Sequence, residues 1–453
     1  MEAIRSRLNS RALMPGEKLP SIRQFANTMG VSPSTVVEAY DRLAAEGLIR
    51  SRPGSGFYAC GPAAPFVMSE ISPATDRAID PLWVSRQSLD ARPDMLKPGC
   101  GWLPASWMPN ASIRKAVRGL ARADDEILSD YGATRGDAKL RRLLARQLSD
   151  EGIPVDLNQI LLTVSGTQAI DLLCRFLLRP GDTVIVDDPC YFNFQALLKA
   201  HQVKIVGVAY TQDGPDLKRF TEALGEHKPR LYITNSALQN PTGATISPKV
   251  AHQVLNTAAA HDLIIIEDDI FAGYEPEASP RLASLDGLER VIRIGSFSKT
   301  LSASVRCGYI AARPDWIESL VDLQVATSFG GPSPLAAELL YSVLSDGSYR
   351  KHMEAVRRRL TRLRTETAMS LENRGIRSWL MPRGGFYLWC RLPEGQDSAD
   401  LARKTLRENL VLAPGNVFSP SQSKASFMRF NVSQMEDPKV YEVLARAMSG
   451  QAG

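Results

Sequence analysis

The chain has little of what staples small secreted proteins or builds metal centres. Its six cysteines, Cys60, Cys100, Cys174, Cys190, Cys307 and Cys390, lie far apart without a CxxC pair, and its five histidines form no HxH or HExxH. Free thiols and no metal site are expected. No run of about 18 apolar residues occurs, the length that a bilayer span needs, and Met1 leads at once into a charged, amphipathic segment. A soluble, cytoplasmic chain without a membrane partner is the expectation. Strong net charge is also missing: +5 is modest for 453 residues. The excess is local, however, since the first sixty residues carry eight Lys/Arg against five Asp/Glu. That permits nucleic-acid binding. The length implies two or three folding units, and a hydrophobic fraction of 44% is enough for large cores.

Residues 2 to 11 read as a short helix that ends at the Pro15-Gly16 turn. Two helical patterns follow, broken at Gly30. The first places Ile22, Phe25, Ala26 and Met29 at helical spacing; the second starts with Ser32 as N-cap and Pro33 in the first turn, and builds a face from Val36, Val37, Tyr40, Leu43 and Ala44. Helices around a tight turn make a helix-turn-helix, whose second helix enters the major groove by its amino end. Ser34 and Thr35 stand at that end, suited to phosphates or base edges. IRSRPGSGFYA then reads as a β-hairpin wing turning through Pro53-Gly54-Ser55-Gly56, with Arg50 and Arg52 placed to touch a DNA backbone. A small helical docking module is the competing reading. Residues 61 to 80 are rich in Pro, Ala and Ser and read as a linker.

Beyond Leu82, strand and helix patterns alternate, the mark of an α/β fold with a mainly parallel sheet. Strands are expected at 160–164, 183–186, 204–208, 230–233, 263–266, 291–294 and 308–311, with ligands binding at their carboxyl ends. Chemistry concentrates there. Ser165-Gly166-Thr167-Gln168 separates a strand from a helix and forms either a phosphate cup or a plain helix cap. Tyr191, after a proline turn, is a stacking ring or a core aromatic. Asn240 in NPTG carries an amide into the cleft. In IIIEDDIF, Asp268 closes a very apolar strand and needs a cation partner; Glu267 and Asp269 compete for that role, and one of them can instead cap a helix. IGSFSKTLSASVR places Lys299 after a strand, among Ser296 and Ser298 and near Arg306, where an amine suits imine formation with an aldehyde cofactor.

SGTQ, NPTG, EDD and SFSK in this order, with Lys299 thirty-one positions after Asp268, resemble the fold-type I, class I/II aminotransferases over roughly residues 90 to 445. PGEKLPSIRQFA and VSPSTVVEAYDRLAAEGLI resemble the winged helix-turn-helix of GntR-type bacterial repressors. Their combination resembles the MocR subgroup of transcription regulators. The resemblance implies a winged helix-turn-helix over 1–60, a linker over 61–80 and a pyridoxal 5'-phosphate unit over 81–453, with its large domain at about 128–335 and a small domain from the flanking segments. It further implies that Lys299 forms an imine with the cofactor, Asp268 pairs with the pyridine nitrogen, Tyr191 stacks on the ring and Asn240 meets its phenolic oxygen. Ser165, Gly166, Thr167, Ser296, Ser298 and Arg306 would hold the phosphate, Tyr131 would reach the phosphate of the other subunit of a homodimer, and Arg429 would clamp an α-carboxylate. Arg23, Ser34, Thr35, Arg50, Arg52 and Gly54 would meet operator DNA. The implied function is a regulator sensing an amine or amino acid through imine exchange at Lys299; an active aminotransferase is the alternative. One departure stands out. Phe271 occupies the place, three after the aspartate, where the family commonly has tyrosine, so a hydroxyl donor to the phenolate is missing unless Tyr274 supplies it, and the imine should hold its proton more tightly.

Overall fold

The computed structural model describes residues 17–60 and 81–449, together with Ile4. The helix expected over residues 2 to 11 lies outside the described residues apart from Ile4, which is buried in the first unit's core, and the linker expected over 61–80 lies outside them too. The chain divides into two compact units, Met1–Ile71 and Ser72–Gly453.

In the first unit, helix α1 (Ile22–Met29) begins where Ser21 accepts from the Gln24 N–H and ends at Gly30. Gly30 has φ 65°, a left-handed turn that a side chain would resist. Helix α2 (Pro33–Ala45) is capped by Ser32, which accepts from the Thr35 N–H, and has proline in its first turn. Strands β1 (Ile49–Arg52) and β2 (Gly56–Ala59) form the antiparallel wing, with Arg52 opposite Gly56. Val36, Tyr40 and Leu43 pack with Leu19, Ala26, Ile49 and Ala59. Tyr40 fixes the assembly: its hydroxyl donates to the Pro20 carbonyl at 2.9 Å and its ring meets Phe57 edge-on at 4.9 Å. Val37 departs from the expected apolar face and is 41% exposed, because it follows Val36 by about 100° of helical rotation.

The second unit is built on an eight-stranded sheet of order β3-β10-β9-β8-β7-β4-β5-β6. Its strands are β3 (Ile160–Thr163), β4 (Thr183–Asp188), β5 (Lys204–Thr211), β6 (Gly214–Pro215), β7 (Leu231–Thr234), β8 (Ile264–Asp268), β9 (Val291–Ser296) and β10 (Gly308–Ala311). All seven expected strands are present. The pairs from β9 through β8, β7 and β4 to β5 are parallel, whereas β10 runs antiparallel between β3 and β9. Six strands therefore end on one edge, which gathers the polar ends of β3, β4, β7, β8 and β9. Two apolar layers clothe the sheet, and β8 shows why its sequence is a continuous run: Ile265 faces one layer and Ile266 the other. Each buried isoleucine contributes roughly 1.5–3 kcal/mol.

A second, four-stranded antiparallel sheet has the order β11-β12-β14-β13, from β11 (Arg377–Ser378), β12 (Tyr387–Arg391), β13 (Ala413–Pro414) and β14 (Phe427–Asn431). It shares a core with helix α3 (Pro81–Leu89), the first described element after residue 80. Among the described residues no helix is long and apolar enough to cross a membrane, and all six cysteines are free thiols.

Candidate functional site

The acids at the end of β8 have three different fates. Glu267 accepts from the Leu282 and Ala283 N–H groups and from Ser236, so it caps the helix Leu282–Asp286. Asp269 is locked between two buried guanidinium groups, Arg281 at 2.8 Å and Arg293 at 2.8 Å. Asp268 points to the opposite face. Among the described residues it forms no ion pair, and one carboxylate oxygen accepts from the Ile270 N–H at 3.3 Å. Burial pushes its pKa up to about 7, opposed by hydrogen bonds from Ile270 and Asn235. A buried carboxylate without an ion pair is costly; Glu267 is satisfied by three hydrogen bonds and Asp269 by two guanidinium groups, which leaves Asp268 the least satisfied of the three.

Lys299 lies just beyond β9 and lines one cavity with Tyr191, Asn240, Arg429 and Phe271. Its pKa is lowered to about 8, first by burial; Cys100 and Asp268 oppose the shift, and Arg429 and Arg306 reinforce it. Burial thus outranks the neighbouring hydroxyls and Arg306 in keeping the amine reactive. The indole of Trp102 lies 5.8 Å from Nζ.

Arg429, on β14 and 1% exposed, crosses the cavity. Nη1 donates to the Asn240 side-chain oxygen at 2.8 Å and Nη2 to the Gly99 carbonyl at 2.8 Å, while buried Nε has no partner. Since an arginine only donates, Asn240 must turn its oxygen toward it, which leaves the amide N–H2 as the donor for the cavity. The guanidinium carbon lies 4.2 Å from the Tyr387 ring and 4.8 Å from the Phe418 ring, within cation–π range of both. Tyr191 packs against Phe192 and Phe194 at 4.9 and 5.4 Å, and burial raises its pKa to about 12.

Beside this cavity, Ser165 caps the helix Gly166–Leu177 by accepting from the Gln168 N–H. A Cβ at Gly166 would lie 3.6 Å from the Ser296 side chain, so the two stretches adjoin. Ser296 bonds Ser298 at 3.1 Å. Thr167 and Arg306 are exposed, and Arg306 has φ 52°. Tyr131 is not brought to this cavity; it stands 77% exposed, edge-on to the exposed Phe329 at 5.0 Å. Tyr274, the alternative donor at the Phe271 position, is buried and its hydroxyl donates to the Lys299 carbonyl.

Sequence reasoning missed several lining residues. Ser88 and Val84 come from α3, and Gly101 and Trp102 from a loop whose carbonyls accept from Asn431. Tyr387 comes from the start of β12. The tight GCGW string around Gly99, where a Cβ would fall 2.4 Å from the Leu412 backbone, was the available signal for the loop. In the first unit, Arg23, Ser34, Thr35, Arg50, Arg52 and Gly54 are all exposed, and the Arg52 guanidinium lies 4.5 Å from the Tyr58 ring.

This sheet, with a lysine and a buried aspartate at its carboxyl edge, defines an aminotransferase-like unit, and residues 105–446 match the model of aminotransferase class I and II. The chain belongs to that family. Residues 1–59 match the gntR family of bacterial regulatory proteins. Relatives align over nearly the whole chain and are regulators by name. The uncharacterized HTH-type transcriptional regulator YdcR of Escherichia coli is 28% identical, covering 95% of this chain and 94% of its own length. The HTH-type transcriptional regulator NorG of Staphylococcus aureus is 26% identical, covering 93% and 97%. Among solved structures, the α-aminoadipate aminotransferase LysN of Thermus thermophilus, complexed with N-(5'-phosphopyridoxyl)-L-leucine, has a TM-score of 0.73 at 25% identity, covering 81% of this chain and 95% of that one. An archaeal alanine:glyoxylate aminotransferase has a TM-score of 0.74 at 26% identity, covering 84% and 96%.

Proposed function

We propose that this protein is a DNA-binding transcription regulator whose aminotransferase-like unit holds pyridoxal 5'-phosphate and responds to an amino acid or amine. The observation that carries the reading is the buried pair of Lys299, its amine near neutrality, and Asp268, a carboxylate with no ion pair among the described residues, on one chain with a winged reader. The names of YdcR and NorG support the regulator, and the phosphopyridoxyl ligand of LysN supports the cofactor.

The residues present fit that group. When bound, it supplies an aldehyde that joins a primary amine and a pyridine ring that withdraws electrons. Lys299 is the amine, kept partly unprotonated by burial. Asp268 would pair with the ring N–H, Tyr191 would offer its face for stacking, and Asn240 would donate its amide N–H to the phenolic oxygen. Ser165, Gly166, Thr167, Ser296, Ser298 and Arg306 take the phosphate. Arg429 binds the ligand's α-carboxylate. The exposed Tyr131 reaches the phosphate of a second copy, which makes the working form a homodimer in the cytoplasm. On the DNA side, Arg23, Ser34, Thr35 and the wing residues Arg50, Arg52 and Gly54 meet the operator duplex. The working division is a reader over 1–60, a linker over 61–80 and the cofactor unit over 81–453, with the large domain at about 128–335. A ligand amine competing with Lys299 for the aldehyde would change the contacts in the cleft, the means by which binding would bias the reader.

A working aminotransferase is the second reading, favoured by a reactive Lys299 and an intact Arg429. Protein purified with added cofactor should be coloured, and borohydride should add mass to the Lys299 peptide; a colourless protein with no adduct sinks the cofactor reading. Salt-sensitive retardation of upstream promoter DNA that changes with an amino acid supports the regulator, whereas multiple turnovers on amino-acid and keto-acid pairs without DNA retardation support the enzyme.

A further inference from the structure

The Lys299 cavity holds an orphaned polar atom that the cofactor assignments do not use. Ser88 on α3 lines the cavity, is 4% exposed, and its hydroxyl has no hydrogen-bond partner. A seryl hydroxyl in a helix usually turns back to a carbonyl one turn earlier. Here it does not, so a buried hydroxyl without a partner stands in a residue of the cavity wall. Much of the remaining wall is apolar or aromatic: Val84, Trp102, Phe192 and Phe271. Among the described residues, the only charged side chains lining the cavity are Lys299 and Arg429.

We infer that this cavity selects α-amino acids with a short, uncharged side chain that carries a hydroxyl or amide, and that Ser88 reads that group. The inference rests on the reading above, in which Lys299 serves the cofactor and Arg429 the α-carboxylate. With both cations committed, a second carboxylate would enter a ring-walled space without a counter-charge, at a heavy desolvation cost. An apolar side chain would enter but leave the Ser88 hydroxyl unsatisfied. A hydroxyl or amide satisfies it, and one such hydrogen bond is worth about 3- to 10-fold in affinity.

The test is an absorbance titration of the full chain loaded with pyridoxal phosphate, using near-isosteric pairs: L-serine with L-2-aminobutyrate, L-threonine with L-valine, and L-asparagine with L-leucine, plus L-aspartate and L-glutamate. The polar member of a pair should bind about 3- to 10-fold more tightly, and L-aspartate more weakly than L-asparagine. Ser88→Ala should erase the gap within each pair, and Ser88→Thr, which keeps a hydroxyl, should retain it; unfolding midpoints and cofactor colour confirm that both variants are folded and loaded. Equal affinities within every pair, a preference for the dicarboxylic acids, or a gap that survives in Ser88→Ala each overturns the inference. A coloured protein giving any of those results leaves the cofactor reading standing, whereas a colourless protein removes both.

Discussion

Phe271 and Lys299 show how single groups set the chemistry. Phe271 is buried among the Phe386 and Tyr387 rings, each 5.6 Å away, and Tyr274 spends its hydroxyl on a backbone carbonyl, so neither supplies the missing donor. Phe271→Tyr is therefore expected to lower the pH at which the bound chromophore changes colour, since a new donor to the phenolate loosens its hold on the imine proton. Identical titration curves for both proteins would refute this. For Lys299, a pKa near 8 in place of 10.5 predicts that the rate of cofactor capture rises about tenfold per pH unit below 8 and then flattens, where an ordinary lysine would keep climbing. Stopped-flow absorbance from pH 6 to 10 reads this directly. The same shift acts on stability: between about 8 and 10.5 the unfolded chain holds a proton that the folded chain lacks, so Lys299 makes stability rise with pH across that window. The lysine was legible from its motif. The cause of its depressed pKa was not, because burial is a property of the packed unit.

At the scale of elements, strand β8 and its neighbours were readable because a strand covered on both faces must be a continuous apolar run. The fates of its three acids were not readable, since Arg281 and Arg293 come from a loop and from β9 and meet Asp269 only in the fold. Asp269→Ala leaves both buried guanidinium groups short of a partner and should destabilise the protein by about 3–5 kcal/mol. Urea unfolding measures this, and a loss below about 1 kcal/mol would show that Glu151 and Glu275 suffice. The antiparallel placement of β10 and the contribution of α3 to the cavity escaped the sequence for the same reason. Periodicity reports which face of an element is covered, not which element covers it.

For the whole molecule, the two-part organisation was legible because each part carries its own motif, and the winged reader has its own core around Tyr40. The exposed Tyr131 and Phe329 rings bear on assembly. Tyr131→Ala should weaken cofactor retention on dialysis without moving the unfolding midpoint of the cofactor-free protein, because a ring 77% exposed contributes little to its own unit. Unchanged retention would remove Tyr131 from the site. Helix α3 has a wider consequence. It forms a wall of the cavity around Lys299, and it is also the first described element after residue 80. On the proposed reading, a substitution in this wall would change which metabolite the protein hears while leaving the exposed Arg23, Ser34 and Arg52 of the reader untouched.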